Sequence, residues 1–261
     1  MKNFFAVIPA RSGSKGILGK NFLPLGGRRV IDFTIMHALQ MRDLCDVVIS
    51  TNNSEFSRDF SNEFQMRPKS MITNLNPIEE ISEGIFLHNR SEELSQDHTP
   101  IMDVITEVRS VLRKSGRQYE GCLLLQPTVP FRSRDDLQNV RNYLEKEASP
   151  ESSFVTFKRV LDGHPARMYQ ETEKSIFSNV GFFPEFAQSR RQDLPTLFLR
   201  DGCYYFIGSR LIDEKVQVSA TPSGLIRSFP WTMNLDEVSD YILAEAILER
   251  YPEVDMQREG S

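Results

Sequence analysis

A short loop near the start of the chain holds three cations and three glycines. Residues 9–21 read PARSGSKGILGKN, with Arg11, Lys15 and Lys20 as the cations. Glycine lets backbone N–H groups turn toward an anion, and the cations add charge, so this composition is typical of a phosphate-binding turn. The loop directly follows the apolar run at residues 4–8, and ligand sites in α/β proteins lie at the carboxyl ends of such strands.

Two better-known phosphate loops do not match this segment. A P-loop has glycine at position 14 and Ser or Thr after the lysine, whereas this chain has Ser14 and, after Lys20, Asn21. The dinucleotide-binding fingerprint needs a glycine where this chain has Arg11. On composition alone, a solvated basic turn stays open as the alternative.

The run Ile-Pro-Ala-Arg-Ser-Gly-Ser-Lys-Gly-Ile-x-Gly-Lys-Asn closely resembles the opening signature of the acylneuraminate cytidylyltransferases, also called CMP-sialic acid synthetases. In that family the loop wraps the triphosphate of CTP. The resemblance implies that Ala10, Arg11, Ser14, Lys20 and Asn21 bind CTP, with Arg11 and Lys20 also acting in catalysis.

Further segments extend the resemblance over most of the chain. Arg67, followed by Pro68, resembles an Arg-Pro pair whose arginine helps to hold the nucleotide. Residues 124–132 are similar to the family's Leu-Gln-Pro-Thr-Ser-Pro-x-Arg, in which the glutamine, here Gln126, lies between nucleotide and sugar. Residues 190–195 and 201–205 resemble pieces that build the acid-sugar pocket and the dimer lobe. The resemblance therefore implies that Gln126 binds both CTP and the sugar, and that the sugar is also bound by Arg190, Arg191, Gln192 and Tyr205.

The family's metal motif is altered in this chain. Asp-Ile-Asp before the last helix reads Asn234-Leu235-Asp236 here, followed by Asp240. An amide oxygen can still ligate Mg²⁺, but it brings no charge. The resemblance implies Mg²⁺ as the cofactor and Asp236 as a catalytic metal ligand, with Asn234 as the weaker candidate. KDO-activating relatives keep only the second aspartate.

Several of these residues also have a structural interpretation that the sequence leaves open. Asp236 stands at a helix start, where aspartate is a favoured N-cap. Gln126 can satisfy a backbone group at a strand end. Tyr205 ends an apolar strand of the kind found in protein cores. Arg190 and Arg191 can belong to a solvated face.

Short apolar runs alternate with segments of helical period in the first 150 residues. This alternation predicts βαβ units and an α/β fold, with a Rossmann-like, mostly parallel sheet flanked by helices, of the nucleotide-diphospho-sugar transferase type by resemblance. Ser133 and Asp136 form the pattern of a capping box. We expect one cytidylyltransferase domain over residues 1–261, an inserted antiparallel dimerisation lobe over about 152–205, and a surface insertion over 71–93, where no period is clear.

Composition excludes several classes of protein. A formal net charge of -5 gives no overall basic field for nucleic acid. No apolar stretch approaches the ~20 residues of a membrane span, and no signal-peptide pattern precedes the first strand. The cysteines (Cys45, Cys122 and Cys203) form no CxxC pair, which favours buried, reduced thiols over a zinc site or a disulfide framework. We expect a cytoplasmic homodimer whose partners are CTP and an acidic sugar.

The expected reaction is transfer of CMP from CTP to the anomeric hydroxyl of a nine-carbon acidic sugar of the N-acetylneuraminate type, with release of pyrophosphate. The same chemistry on legionaminate, pseudaminate or KDO is an alternative, and the first loop favours the nine-carbon branch over KDO. A catalytically weak nucleotide-binding or regulatory homologue is an alternative of another class, suggested by Asn234, by Val129 in place of a serine, and by residues 71–93.

Overall fold

The computed structural model describes residues 2–13, 17–63 and 77–255, with the backbone alone for 61–63. In chain order the strands are β1 (Phe4–Pro9), β2 (Pro24–Leu25), β3 (Arg28–Arg29), β4 (Cys45–Thr51), β5 (Ile78–Ser82), β6 (Ile85–Asn89), β7 (Gly121–Leu125), β8 (Ser153–Arg159), β9 (Tyr169–Glu173), β10 (Ile176–Asn179), β11 (Phe198–Gly208) and β12 (Ser223–Arg227). The α-helices are α1 (Val30–Leu39), α2 (Ser54–Glu63), α3 (Ile101–Lys114), α4 (Arg134–Lys146), α5 (Ser209–Asp213) and α6 (Val238–Arg250).

In the described part of the chain, eight strands form one mixed sheet in the order β12-β8-β11-β7-β1-β4-β6-β5. The central strands β7, β1, β4 and β6 are parallel, and β12 is parallel to β8. Strand β11 runs antiparallel to both β7 and β8, and β5 runs antiparallel to β6. The predicted α/β fold with a mostly parallel sheet is therefore present, and the carboxyl ends of its central strands meet at one edge.

Apolar layers cover both faces of the sheet. Alternate residues of β1 point to opposite faces, so a continuous apolar run can be buried on both sides. Phe4, Ala6 and Ile8 pack with residues of α1, α2 and α4, whereas Phe5 and Val7 pack with residues of α3 and α5. None of the described helices has the length and apolar character needed to cross a bilayer.

The predicted capping box at the start of α4 is confirmed. The Ser133 hydroxyl accepts a hydrogen bond from the Asp136 N–H at 3.0 Å, and the Asp136 carboxylate accepts one from the Ser133 N–H at 3.0 Å. The pair satisfies N–H groups that a helix start would otherwise leave without partners, which fixes where α4 begins.

Residues 77–89 belong to the sheet, so the expected surface insertion over 71–93 is wrong for this part of the segment. Ile78, Ile85, Phe86 and Leu87 are all at most 5% exposed. The apolar runs are too short to show a period, since strands of five residues give a sequence pattern little to repeat. Residues 71–76 lie outside the described residues.

The expected lobe over residues 152–205 is narrower than predicted. Strands β8 and β11, at its two ends, are antiparallel as expected, but they lie inside the main sheet. The part that leaves the sheet is residues 160–197, called the lobe below, and it carries the hairpin of β9 and β10. Several large apolar side chains of this lobe are between 43% and 60% exposed, among them Met168, Tyr169, Ile176, Phe177 and Phe182.

The three cysteines are buried and carry free thiols, as the sequence predicted. Burial raises the pKa of Cys45 to about 12 and that of Cys203 to about 11. Burial also raises the pKa of Cys122 well above its usual value. A thiol reacts as its thiolate, so these side chains are chemically inert packing residues at neutral pH.

Candidate active site

A cleft of about 440 Å³ lies where β1, β6 and β7 end. Segments far apart in the chain meet there: the loop after β1, the chain between β6 and α3, the turn after β7, and the segment before α6. The polar side chains that line the cleft are Arg11, Lys20, Asn21, Arg90, Gln96, Asp97, Thr99, Gln126, Thr128, Asn234 and Asp236. The structure thus brings together most of the residues that the sequence assigned to CTP and to the metal.

Lys20 connects the first loop to the segment before α6. Its ammonium group donates to the Leu235 carbonyl oxygen at 2.9 Å and to Asp236 Oδ1 at 3.1 Å. Gly19 precedes it in the left-handed region, at φ 64°, a conformation that glycine adopts without strain. The loop therefore directs a cation toward a carboxylate across the cleft.

Asn21 and Ala10 shape the loop from within the protein. Asn21 is 5% exposed, and its side-chain amide donates to the Arg11 carbonyl oxygen at 3.1 Å. Ala10 is fully buried, and its N–H donates to the Ser50 carbonyl oxygen at 2.8 Å, which extends the pairing of β1 with β4. Ser14, the other predicted nucleotide ligand of this loop, lies outside the described residues.

Arg11 forms an ion pair across another wall of the cleft. Its Nη1 donates to Asp97 Oδ1, on the segment that leads into α3. Both side chains are partly exposed, at 27% for Arg11 and 37% for Asp97, so they are accessible to a ligand. Asp97 gives the cleft a carboxylate that the sequence analysis did not assign.

Arg90 is a cleft residue that the sequence analysis missed. It directly follows β6, is 6% exposed, and donates to the carbonyl oxygen of Ser50 at 2.9 Å and to its hydroxyl at 3.2 Å. Burial, followed by the nearby charge of Arg11, lowers the pKa of Arg90 to about 10, so it stays protonated at neutral pH. In the described part of the chain no carboxylate pairs with it. A buried cation of this kind suits an anionic ligand.

A signal for Arg90 was present in the sequence. It is the first charged residue after an apolar strand, the same placement that Arg11 has after β1. Because residues 71–93 were interpreted as a surface insertion, Arg90 was not considered as a ligand-binding residue. Arg67, to which the sequence analysis assigned the nucleotide instead, lies outside the described residues.

The segment before α6 carries the candidate metal ligands. Asn234 Nδ2 donates to Asp236 Oδ2 at 2.6 Å, and Asn234 Oδ1 is buried without a hydrogen-bond partner among the described residues. The N-cap of α6 is Glu237, and Asp240 accepts from the Glu237 N–H at 2.8 Å, so Asp236 is not the helix cap. Its carboxylate is therefore available for another role.

These donors fit a magnesium ion that is held largely by its substrate. Mg²⁺ is usually bound by one or two carboxylates together with phosphate oxygens and water. Asp236 offers a carboxylate at the cleft, and Asn234 offers a buried amide oxygen without a partner. The described residues contain no cluster of three or more His, Cys, Asp or Glu side chains suited to a metal, so these residues alone do not enclose the ion.

The predicted sugar-binding residues other than Gln126 do not line this cleft. Arg190, Arg191 and Gln192 are exposed on the lobe, where Arg191 lies 3.4 Å from Asp162. Arg191 and Gln192 line a separate pocket of about 340 Å³. Tyr205 is 6% exposed and packs in the core, because it lies on a central strand between β7 and β8.

Comparison with known protein families matches the first third of the chain. A family model described as Cytidylyltransferase matches residues 5–93, which include β1, the first loop and Arg90. Together with relatives that match over most of the chain, this match confirms the resemblance to the cytidylyltransferases that was recognised in the sequence. These matches support nucleotidyl transfer as the class of reaction.

The relatives of this chain are named for different acidic sugars. The chain is 26% identical over 249 residues to the CMP-N,N'-diacetyllegionaminic acid synthase of Legionella pneumophila, covering 94% of this chain and 95% of that one. It is 29% identical over 240 residues to an N-acylneuraminate cytidylyltransferase of Streptococcus agalactiae, covering 90% of this chain but 51% of the relative, so it spans about half that protein. The pseudaminic acid cytidylyltransferase of Campylobacter jejuni is 26% identical, with coverage of 79% and 78%.

A solved structure shares the fold. The CMP:2-keto-3-deoxy-manno-octonic acid synthetase complexed with CTP superposes with a TM-score of 0.58, covering 95% of this chain and 99% of that one, at 15% identity. At that identity the likeness supports the architecture alone: an α/β fold with a mixed, mostly parallel sheet flanked by helices.

Proposed function

We propose that this protein transfers CMP from CTP to the anomeric hydroxyl of a nine-carbon acidic sugar and releases pyrophosphate. The observation that carries the proposal is the convergence of Arg11, Lys20 and Arg90 on one cleft that also contains Asp236. Both substrates are anions and repel each other, so a site that brings them together needs fixed cations. The overall charge of -5 means that these cations must be local, as they are here.

In the proposed reaction the anomeric oxygen attacks the α-phosphorus of CTP. The new P–O bond forms as the bond from that phosphorus to the pyrophosphate oxygen breaks, with the two oxygens in line. Arg11 and Lys20 neutralise the charge that develops on the departing pyrophosphate. Among the described carboxylates of the cleft, Asp236 is assigned to the metal, and Asp97 is the candidate to accept the hydroxyl proton.

Asp236 and Asn234 are the residues that would hold Mg²⁺. When bound, the ion supplies positive charge to the phosphate oxygens. Lys20 contacts the same carboxylate at 3.1 Å, so it lies where it can keep Asp236 directed into the cleft. With an amide in place of one carboxylate, this site has less charge than the pair that the family resemblance leads one to expect, and its affinity for the ion should be lower.

The relatives support two candidate sugars. The first loop and residues 126–128 favour a nine-carbon acid over KDO, and the match to an N-acylneuraminate cytidylyltransferase makes N-acetylneuraminate one candidate. The match to the diacetyllegionaminate enzyme runs nearly end to end in both chains, which favours N,N'-diacetyllegionaminate. Both are nine-carbon acids, so the cleft chemistry described above applies equally to either.

Pyrophosphate release tests the proposal. Purified protein with CTP and Mg²⁺ is assayed against N-acetylneuraminate, N,N'-diacetyllegionaminate, pseudaminate and KDO, with UTP as the control nucleotide. We expect turnover with a nine-carbon acid and CTP. Equal turnover with UTP would refute the cytidylyl assignment. Tight binding of CTP without turnover of any sugar would favour the catalytically weak homologue instead.

We propose further that the lobe joins two copies of the chain. Its exposed apolar side chains form a patch of the kind that marks protein contacts. Phe177→Glu, on the lobe hairpin, is expected to give a monomer in light scattering. Ile242→Glu, at an equally exposed apolar residue of α6, is the control and should leave the mass unchanged. A wild-type monomer would contradict this proposal.

A further inference from the structure

A buried arginine lies directly behind the cleft residue Gln126. Arg132 is 1% exposed and ends the turn that joins β7 to α4. Its Nη1 donates to Thr34 Oγ1 at 2.8 Å. Its Nη2 donates both to the Gln126 carbonyl oxygen at 3.0 Å and to the Cys203 carbonyl oxygen at 3.3 Å. One guanidinium nitrogen therefore ties the backbone of a cleft residue to the neighbouring strand β11.

The side-chain amide of Gln126 lies close to Gly202 on strand β11. Gly202 has φ +83°, and a Cβ atom placed there would lie 3.0 Å from Gln126 Oε1. The pairing of β11 with β8 changes register between Arg200 and Tyr205, so Gly202 sits in a bulge that redirects the strand. Any larger residue at this position would displace the amide of Gln126.

Within the described part of the chain, the hydrogen bonds of Arg132 all go to neutral oxygen atoms, one hydroxyl and two backbone carbonyls. The carboxylates of Asp136 and Asp201 pair instead with Arg227, which is also buried, at 2.9 Å and 2.7 Å. Hydrogen-bond geometry is then what Arg132 contributes, and lysine cannot reproduce the planar fork of a guanidinium.

We propose that Arg132 is a positioning residue that holds Gln126 in the orientation needed to bind the acidic sugar, with Gly202 as its partner in that role. The proposal rests on the proposed function, together with the sequence resemblance that implies a place for Gln126 between nucleotide and sugar. Arg132 does not touch the substrates, since it is buried behind Gln126. It acts through the Gln126 carbonyl oxygen and through strand β11.

Steady-state kinetics with a double-mutant cycle test this role. Arg132→Lys should lower kcat/KM for the sugar by about tenfold or more, the scale of losing one oriented hydrogen bond to a charged group. CTP affinity, measured by calorimetry, should change much less, because the loop after β1 supplies the main nucleotide contacts. In a Gln126→Ala background, Arg132→Lys should have no further effect, because the side chain it positions is gone. Effects that multiply in the double variant would overturn the proposal.

Thr34→Val is the matched control. This substitution removes the acceptor of Arg132 Nη1 and leaves both contacts of Arg132 Nη2 in place. Valine is similar in volume to threonine, so kcat/KM should match the wild type. If Arg132→Lys does not unfold cooperatively on heating, Gly202→Ala replaces it in the same double-mutant cycle with Gln126→Ala. The Cβ atom of that alanine would contact Gln126 Oε1. A Gly202→Ala protein with normal sugar kinetics would likewise overturn the proposal.

A readout that needs no turnover separates this proposal from the proposed function. The side-chain amide of Gln126, assigned by comparison with Gln126→Ala, should give one sharp pair of NMR signals in the wild type. It should broaden or shift in Arg132→Lys and stay in place in Thr34→Val. Unchanged Gln126 signals in Arg132→Lys would refute the positioning role, whereas a wild-type protein inactive with every sugar would refute the proposed function alone.

Discussion

Replacing Lys20 with alanine should separate catalysis from folding. The ammonium group pairs with Asp236 at 3.1 Å, but the Asp236 side chain is 61% exposed. An ion pair as exposed as this contributes less than about 1 kcal/mol to stability. The hydrogen bond to the Leu235 carbonyl oxygen adds about 1 kcal/mol. The free energy of unfolding should therefore fall by at most about 2 kcal/mol, which lowers Tm by roughly 4–8 °C in a chain of this size.

The catalytic loss should be much larger than this change in stability. Removing one preorganised charge donor from a site where negative charge develops costs about 10²–10³ in kcat, or roughly 2.7–4 kcal/mol of barrier. The assay is the initial rate of pyrophosphate release at saturating CTP and sugar, with Tm measured on the same preparation. Lys215→Ala is the control, since Lys215 pairs with Asp103 at 2.7 Å outside the cleft. A folded Lys20→Ala protein with the wild-type rate would refute the assignment of Lys20 to the triphosphate.

Other predictions follow from single contacts. Asp236→Asn should abolish Mg²⁺-dependent turnover with little change in Tm, whereas Asn234→Asp should lower the Mg²⁺ concentration that gives half-maximal rate. Leu87→Ala should cost about 3 kcal/mol of unfolding free energy in chemical denaturation, and Leu18→Ala, at an 82% exposed site, less than about 0.5 kcal/mol. Burial lowers the pKa of His88 from 6.5 to about 4, so the unfolded chain takes up the proton first. The free energy of unfolding should therefore fall by up to about 3 kcal/mol as the pH drops from about 6.5 toward 4, and it should fall less in His88→Gln. Measuring Tm against pH for both proteins checks this.

The sequence predicted the parts of the fold that have a long or distinctive pattern. The apolar run at residues 4–8 and the capping box at Ser133 are local signals, and the structure agrees with both. Asp236 was ambiguous, because aspartate is favoured both at helix caps and at metals. The structure resolves that ambiguity, because the Asp240 carboxylate accepts hydrogen bonds from the Asp236 and Glu237 N–H groups at the start of α6. Spacing alone could not show which carboxylate caps the helix.

Residues 77–89 and the lobe show what the sequence could not predict. A hairpin of two five-residue strands has too few residues to show alternation, and its burial depends on β4, its neighbour in the sheet. Arg90 was missed for that reason. The placement of Arg190, Arg191 and Gln192 depends on where the lobe leaves the sheet, and that of Tyr205 depends on which face of β11 meets the core. Both are tertiary properties that motif resemblance does not contain.

The burial of every cysteine gives this protein a practical property. Because Cys45, Cys122 and Cys203 all have raised pKa values, maleimide reagents should leave the folded protein unmodified at neutral pH. A cysteine introduced at an exposed position of the lobe, as in Gln188→Cys, would then be the single reactive thiol. A fluorophore or spin label attached there would report the distance between lobes in an assembled dimer, and its change when CTP is added, without prior removal of the native cysteines.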